Sequence, residues 1–329
     1  MKHILLPDSR ERRLVFYLAM EEFLARENND EEAFFIWQVA PTVICGRNQN
    51  IEAEVNLDYC HKNKINVFRR KSGGGCVYSD EGNLMLTWIT RSEGVQQTFD
   101  RYLHRITELL NDTGAQATVS GRNDILIDGR KVSGNAFYQT PVKSIVHGTL
   151  LYHTNFENMV RAITPAQSKT ESKGVASVRQ RVTNLTEHTS WSKDAVKQHL
   201  IRALCDEERM LTANEIEAIE EIEATYLTDE FLWGKNPASN LIYEGRVNGV
   251  GGFTVRFRMR MGKIDGLTLE GDFFVLQDPL PLLEKCLCGL PIQEDAFRKA
   301  LADVDLGEYI YKLHTEDWIQ LIFRKPDQK

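Results

Sequence analysis

Residues 69–78 read Arg-Arg-Lys-Ser-Gly-Gly-Gly-Cys-Val-Tyr, three cations followed closely by three consecutive glycines. Three glycines in a row do not serve a packed core. They permit positive φ angles and let backbone N–H groups approach a ligand with no Cβ in the way. The arginines just upstream supply planar donors suited to phosphate or carboxylate oxygens. The chemistry that suits this pattern is the holding of an anion; a strained hairpin turn flanked by solvated arginines is the plainer alternative. The loop is not a P-loop, because no Gly-Lys-Ser/Thr stands at the required spacing. Nor is it a dinucleotide fingerprint, since Tyr78 stands where the last glycine of that motif belongs. Both of those motifs open a helix, whereas this loop lies between apolar runs that read as strands.

A second constellation is Gly121-Arg122-Asn123-Asp124, followed by Asp128-Gly129-Arg130-Lys131-Val132-Ser133-Gly134-Asn135-Ala136. Asn123 and Asp124 are hard oxygen donors, suited to Mg²⁺ or to ribose and phosphate groups through water. Lys131 follows a tight turn and so projects a compact positive charge from a rigid base, although an isolated strand lysine is ordinarily just solvated. Ser133 and Gly134 are small and uncharged, which fits a strand against which a ligand lies closely. A third block, His147-Gly148-Thr149-Leu150-Leu151, holds a histidine that taken alone reads as a hydrogen-bonded core residue.

The chain as a whole limits the partners. With 329 residues there is room for two domains, since single cores rarely grow beyond about 250–300 residues. The formal net charge of −7 argues against a non-specific nucleic-acid surface, yet Lys and Arg cluster at 69–71 and at 122–143, where a local basic site would suit phosphate. No apolar run approaches the roughly 20 residues of a membrane helix. The N-terminal apolar stretch is too short for a signal peptide, so a cytoplasmic address is expected. The six cysteines, at 45, 60, 76, 205, 286 and 288, lack zinc spacings and are read as reduced thiols. No sequence pattern of a Ser/His/Asp nucleophile is evident.

These residues need elements to position them. Leu14, Val15, Leu18, Ala19 and Phe23 recur at helical spacing, predicting a helix over 10–26. Ala33–Val39 and Thr42–Cys45 read as adjacent strands, Val67–Arg69 as a strand entering the glycine loop, and Leu84–Thr90 as a further strand. A helix with Phe99, Leu103, Ile106 and Leu110 on its buried stripe ends near Gly114. Asp128-Gly129 is a hairpin signal, His147–Tyr152 a strand, and Asn155 caps a helix running to Ile163. Residues 164–181 read as a polar surface segment. Two acidic helices follow, the second with Thr212 and Glu215 in capping-box spacing. Near Ile242–Gly252 the texture becomes that of a Gly-rich, polar connection, before an alternating strand from Phe253. The expected organisation is α+β: a large mixed-sheet domain over 1–245 and a small α+β accessory domain over 246–329.

Taken in order, the three blocks, together with Lys173-Gly174-Val175-Ala176-Ser177-Val178-Arg179 and Arg181-Val182-Thr183-Asn184-Leu185, closely resemble the lipoate–protein ligase A family. The resemblance spans roughly residues 10–190, and the C-terminal unit matches that family's accessory domain in size and position. It implies the biotin/lipoate ligase fold and an ATP-dependent ligase that converts lipoate to lipoyl-AMP with release of pyrophosphate. The lipoyl group would then pass to a lysine of a lipoyl-domain acceptor, a dehydrogenase E2 subunit or the glycine-cleavage H protein. Carried over residue by residue, Arg70, Ser72, Gly73, Gly74, Gly75, Cys76, Val77 and Tyr78 would hold the nucleotide and the acyl end of the adenylate. Lys131 would touch both the carboxylate and the α-phosphate, as the catalytic residue. Asn123 and Asp124 would help place ATP and Mg²⁺, with Asp124 the metal ligand, while Ser133, Gly134 and His147 would line the site. The segment around Lys173–Arg181 matches a loop that covers the adenylate. Cys76 departs from the family, where alanine is usual. Two other readings stay open: an ATP-independent octanoyl or lipoyl transferase acting through a cysteine thioester, for which Cys76 and Cys45 are candidates, and a non-catalytic lipoyl-domain binder. A biotin ligase shares the architecture, but the motif set fits it poorly.

Overall fold

The structure, a computed structural model, describes residues 1–27, 31–47, 49–91, 94–120, 123–140, 142–163, 181–233, 239–271, 273 and 275–323. The chain divides into two units: residues 1–48, 65–160 and 172–228 form the first, and residues 49–64, 161–171 and 229–329 the second.

The first unit is built on strands β1 (Lys2–Leu5), β2 (Ala33–Trp37), β3 (Thr42–Cys45), β4 (Asn66–Arg69), β5 (Val77–Ser79), β6 (Asn83–Arg91), β7 (Ala117–Ser120), β8 (Asp124–Ile127), β9 (Arg130–Gln139), β10 (Lys143–Leu151) and β11 (Glu207–Met210). Among the described residues they form an eight-stranded sheet, ordered β11-β1-β2-β6-β10-β9-β8-β7, and a three-stranded sheet, β4-β3-β5. Both are mixed: β1 runs parallel to β11 and β2, and β3 parallel to β4, while the remaining pairs are antiparallel. The sequence reading of β2 and β3 as adjacent is corrected here, because Pro41 separates them and each joins a different sheet.

Helices α1 (Leu14–Arg26), α2 (Val95–Asn111), α3 (Phe156–Ile163), α4 (Lys193–Leu204) and α5 (Ala213–Tyr226) accompany these strands. α1 starts at Leu14 rather than near residue 10, since Asp8 gathers Arg10 and Arg12 into ion pairs ahead of it. Asn155 caps α3 by accepting from Asn158 N–H at 3.0 Å, and α5 carries the Thr212–Glu215 capping box.

Strand alternation assigns the two faces of the large sheet different duties. Leu84, Leu86 and Trp88 of β6, with Val146 and Leu150 of β10, join the core formed with Tyr102, Leu103 and Ile106 of α2 and with Val196 and Leu200 of α4. The intervening residues, Thr87 on β6 and His147 on β10, are directly paired and face the other way, toward α1. One face packs against α2 and α4; the other packs against α1 and carries the buried polar pair Thr87 and His147.

The second unit has its own sheet of β12 (Ser239–Val247), β13 (Gly251–Arg260) and β14 (Lys263–Gly271), with α6 (Leu280–Leu287), α7 (Glu294–Ala300) and α8 (Thr315–Phe323). Its core gathers Phe253, Val255, Phe257, Phe297 and Trp318. The expected Gly-rich connection near 242–252 is strand β12 instead: Tyr243 and Val247 are buried, and Gly245 lets the strand lie against Leu321 of α8. The expected domain junction at 245/246 therefore falls inside a ladder. The short helices Ile51–Glu54 and Leu57–Lys62 also belong to this unit, for Lys62 pairs with Glu294 and Asp58 accepts from Glu294 N–H. Among the described residues no helix is long and apolar enough to cross a membrane.

Candidate active site

The glycine loop spans the gap between β4 and β5, and its cations are turned inward. Arg69 is fully buried and donates to the carbonyls of Gly46 and Arg47 at 3.0 and 3.1 Å. Arg70, also buried, donates to the carbonyls of Ile44 at 3.1 Å, Gly73 at 2.6 Å and Gly75 at 2.9 Å. The Ser72 carbonyl accepts from Arg47 N–H at 2.9 Å. With these carbonyls drawn in, no N–H of Gly73, Gly74 or Gly75 donates to another described residue. Gly74 has φ +91°, and a Cβ on Gly46 would lie 1.9 Å from the Gly74 carbonyl oxygen. Glycine is needed at both places. Exposed amide donors beside a buried guanidinium suit an anion. Burial pulls the Arg70 pKa down from its ordinary value, and the group remains a cation.

Lys71 turns the other way, to Glu22 of α1 at 2.5 Å, under the ring of Tyr226. Burial pushes the Glu22 carboxyl up. The hydrogen bonds and charge from Lys71, Tyr226 and Arg26 outweigh it, so its pKa lies below the usual carboxylate value. Val77 pairs with Ile44, and the Tyr78 side chain is buried, so these two offer the loop backbone rather than side chains.

Ser72 begins a buried hydrogen-bonded chain that no sequence spacing revealed. Its Oγ is 2.8 Å from His147 Nε2, His147 Nδ1 is 2.8 Å from Glu21 Oε2, and Glu21 Oε1 accepts from Thr87 Oγ1 at 2.7 Å. Trp37 Nε1 donates to the same Thr87 hydroxyl at 2.9 Å. A hydroxyl–imidazole–carboxylate series is thus present, which corrects the sequence reading that found none; its members come from the glycine loop, β10 and α1. One signal was visible in the sequence: Glu21 stands seven residues after Leu14 and three after Leu18, on the apolar stripe of α1. Glu21, Thr87 and Trp37 are the site residues that sequence reasoning missed.

The second constellation is a hairpin. Asp128 and Gly129 both have positive φ, +50° and +73°, as a two-residue turn of right-handed twist requires. Asp124 pairs with Gly134, and a register shift beside Ile125 and Leu126 sets Lys131 opposite Leu126. Lys131 Nζ then lies 2.7 Å from Asp124 Oδ1. It rests over Gly134, where an added Cβ would meet Nζ at 2.6 Å. The Lys131 backbone is clamped by Arg181 and Thr183, at 2.7 and 2.9 Å. Asn123 and Asn135 exchange side-chain-to-backbone hydrogen bonds at 2.9 and 3.0 Å, so the Asn123 amide shapes the strand pair. Ser133 is buried, its hydroxyl toward the Asn135 amide.

Register links the two constellations. Gly134 pairs with Thr149 and Ala136 with His147, so Gly134 and His147 lie on the same face of the large sheet. That face also carries Asp124 and, across β6, Thr87. The structure therefore brings the Lys131–Asp124 pair and the Ser72–His147 pair onto one face of the first unit. Gly121, Arg122 and Lys173–Gln180 lie outside the described residues, and so does most of the segment expected to cover the adenylate. Among the described residues no three His, Cys, Asp or Glu gather as a ready ligand set for a metal.

Residues 14–205 match the family model of the lipoyl protein ligase A/B catalytic domain, and residues 236–322 match that of the bacterial lipoate protein ligase C-terminus. A lipoate–protein ligase of Bacillus subtilis (strain 168) is 33% identical over 318 residues, which cover 93% of this chain and 96% of that one. Among solved structures, a bipartite lipoate protein ligase from Thermoplasma acidophilum, described with its E2 lipoyl domain, superposes with a TM-score of 0.65 at 27% identity, covering 72% of this chain and 97% of its own. A lipoate–protein ligase A bound with ATP gives a TM-score of 0.63 at 25% identity, covering 71% of this chain and 98% of that one.

Proposed function

The chain belongs to the lipoyl protein ligase family and is a lipoate–protein ligase, and from that premise we propose that it is ATP-dependent and works through a lipoyl-adenylate. The observation that carries this reading is that the sheet face over which the Lys131 ammonium is fixed also bears His147, to which Ser72 binds the glycine loop. A carboxylate is a poor acyl donor, because its leaving group would be an oxide. Attack by a lipoate oxygen on the α-phosphorus of ATP forms a mixed anhydride and expels pyrophosphate. Carboxylate and triphosphate repel one another, so positive charge is needed where they meet. Lys131 supplies it, held in place by Asp124, Gly134 and its clamped backbone. The N–H groups of Gly73, Gly74 and Gly75 hold the adenylate oxygens. This is catalysis by positioning and electrostatic stabilisation.

The acceptor's lysine amine then attacks the anhydride carbonyl and AMP leaves. The acceptors of this reading are lipoyl domains of dehydrogenase E2 subunits and the glycine-cleavage H protein; the bipartite relative, described with its E2 lipoyl domain, supports the first. Asp124, which meets Lys131 through Oδ1 alone, is the residue that would hold Mg²⁺, and when bound the ion would add positive charge against the triphosphate. The Glu21–His147–Ser72 series positions the start of the glycine loop. Ser72 is 2% exposed, and both His147 ring nitrogens are engaged, so neither is set to act on an outside acyl group. The same engagement leaves Cys76 without His147 as a base, which weighs against a thioester route. Lipoate-dependent exchange between ATP and labelled pyrophosphate, compared with octanoate and biotin, tests the reading; acyl transfer from a carrier protein without ATP would favour the thioester alternative.

A further inference from the structure

The β3–β5 ladder pairs Thr42 with Ser79, Val43 with Tyr78 and Ile44 with Val77. One further step sets Cys45 opposite Cys76. Their sulfurs are 3.3 Å apart, with the Cys76 thiol donating to Cys45, and both are in the reduced, thiol form. Directly opposed residues in an antiparallel pair have Cα atoms about 4.5–5.5 Å apart, within the span of a disulfide. An S–S bond is about 2.05 Å long, so the sulfurs need close by only roughly 1.3 Å. Cys45 is buried and Cys76 half-buried, so Cys76 is the sulfur that an outside reagent meets first. The hydrogen bond from Cys76, and then burial, push the Cys45 thiol up, while Arg69 and Arg70 pull it the other way. Arg70 feels both sulfurs and also holds the Gly75 carbonyl, one residue from Cys76.

We propose that Cys45 and Cys76 form an oxidation site for hydroperoxides, whose intramolecular disulfide ties the glycine loop to β3 and suspends adenylation. Cys76 gives up its thiol proton and attacks one peroxide oxygen; the O–O bond breaks, the sulfenic acid of Cys76 forms, and the released oxygen takes up that proton and leaves as water or an alcohol. The Cys45 sulfur then attacks the Cys76 sulfur; the S–S bond forms, and the hydroxyl departs as water with the Cys45 proton. The two thiols lose two electrons and the peroxide gains them. Drawing Cys76 toward β3 turns the Gly75–Cys76 peptide, loosens the Gly75 carbonyl from Arg70, and misaligns the N–H groups of the loop. The functional consequence rests on the adenylate reading above; the bond itself does not.

The full-length protein, reduced and then freed of reductant, is treated with hydrogen peroxide and mapped by peptide mass. The expected product is a Cys45–Cys76 link, with slowed amide hydrogen exchange over residues 72–78. Lipoate-dependent pyrophosphate exchange should fall about a hundredfold, the cost typical of a 1 Å misplacement, and a phosphine reductant should restore it. Cys45→Ala should form no link and show no slowed hydrogen exchange over residues 72–78 through the same treatment. Cys76→Ala, used for mapping alone, should leave Cys45 unmodified. Accumulation of Cys76 sulfinic acid, a link through Cys286 or Cys288 instead, or a Cys45–Cys76 link with unaltered pyrophosphate exchange would each overturn the proposal. If the reduced protein shows no exchange at all, the ligase mechanism fails, while mapping and hydrogen exchange still decide the bond and its grip on the loop.

Discussion

The loop between β4 and β5 and the hairpin between β8 and β9 are both rich in glycine and cations, yet they handle charge in opposite ways. In the loop, Arg69 and Arg70 are buried on backbone carbonyls and Lys71 is paired with Glu22. What the loop offers a ligand is its N–H groups. In the hairpin the backbone at Lys131 pairs with β8 on one side and with Arg181 and Thr183 on the other, and what it offers is the half-exposed Lys131 ammonium. Buried arginines draw the loop's carbonyls inward and leave its amide donors facing outward partners. A strand-borne lysine brings a full charge to one point. The comparison teaches that the number of cations near a glycine run says little about which of them meets the substrate.

That contrast separates fold from catalysis, and substitutions can test it. Arg70→Ala removes three hydrogen bonds to backbone carbonyls, one of them buried, and hydrogen bonds to charged groups contribute about 1.5–3 kcal/mol each, offset in part by the lost cost of burying the cation. The expected outcome is a destabilisation of about 3 kcal/mol or more in urea unfolding, together with loss of pyrophosphate exchange. Lys131→Ala should instead lower exchange about a hundredfold, near 3 kcal/mol of transition-state stabilisation, with an unchanged unfolding midpoint. Comparable losses of stability in the two variants would dissolve the distinction between loop and hairpin.

Gly134→Ala should be milder. Its Cβ would fall 2.5 Å from Lys131 Cε and 2.6 Å from Nζ, both at the far end of a flexible side chain. The ammonium shifts rather than disappears, and about a tenfold loss in exchange is expected, for which misplacement is the cause. The same loss in Gly134→Ala and in the Lys131→Ala/Gly134→Ala double variant, measured against their parents, would show that Gly134 acts independently of Lys131. The smallest effect concerns Glu22, whose pKa is lowered in the folded protein. A depressed carboxylate stabilises fully above its unfolded value, near 4.5, and that stabilisation is lost as pH falls through the folded value. Wild type should therefore exceed Glu22→Gln in thermal midpoint at neutral pH, with the gap closing below pH 4.5; a gap independent of pH would mean that the pair with Lys71 contributes nothing.

Much of this was legible in sequence where the determinant is local. The Asp128-Gly129 turn, the Asn155 and Thr212 caps and the glycine loop between strands each depend on a few neighbouring residues, and each stands where it was read. The polarity of the site was harder to see. Glu21, Ser72 and His147 are 51 and 75 residues apart, and they meet because α1 lies on β10 and the glycine loop carries Ser72 to His147. The arginines of the loop read as ligand donors because a sequence does not show which carbonyls a turn leaves inside. Strand β12 read as a connection because Gly245 and its polar neighbours lack the usual strand texture, and Leu321 of α8 fills what a side chain would have filled. Residues 49–64 read as part of the first domain because their partners, Glu294 among them, lie more than two hundred positions away.

The central claim is that Lys131 promotes formation of an acyl-adenylate without a covalent enzyme intermediate. Lipoate-dependent ATP–pyrophosphate exchange, measured in wild type and in Lys131→Ala with no acceptor protein present, tests it most directly. Robust exchange is expected in the wild type and about a hundredfold less in the variant, whose fold is intact. Near-normal exchange in Lys131→Ala, or none in the wild type alongside lipoyl transfer that survives without ATP, would contradict it.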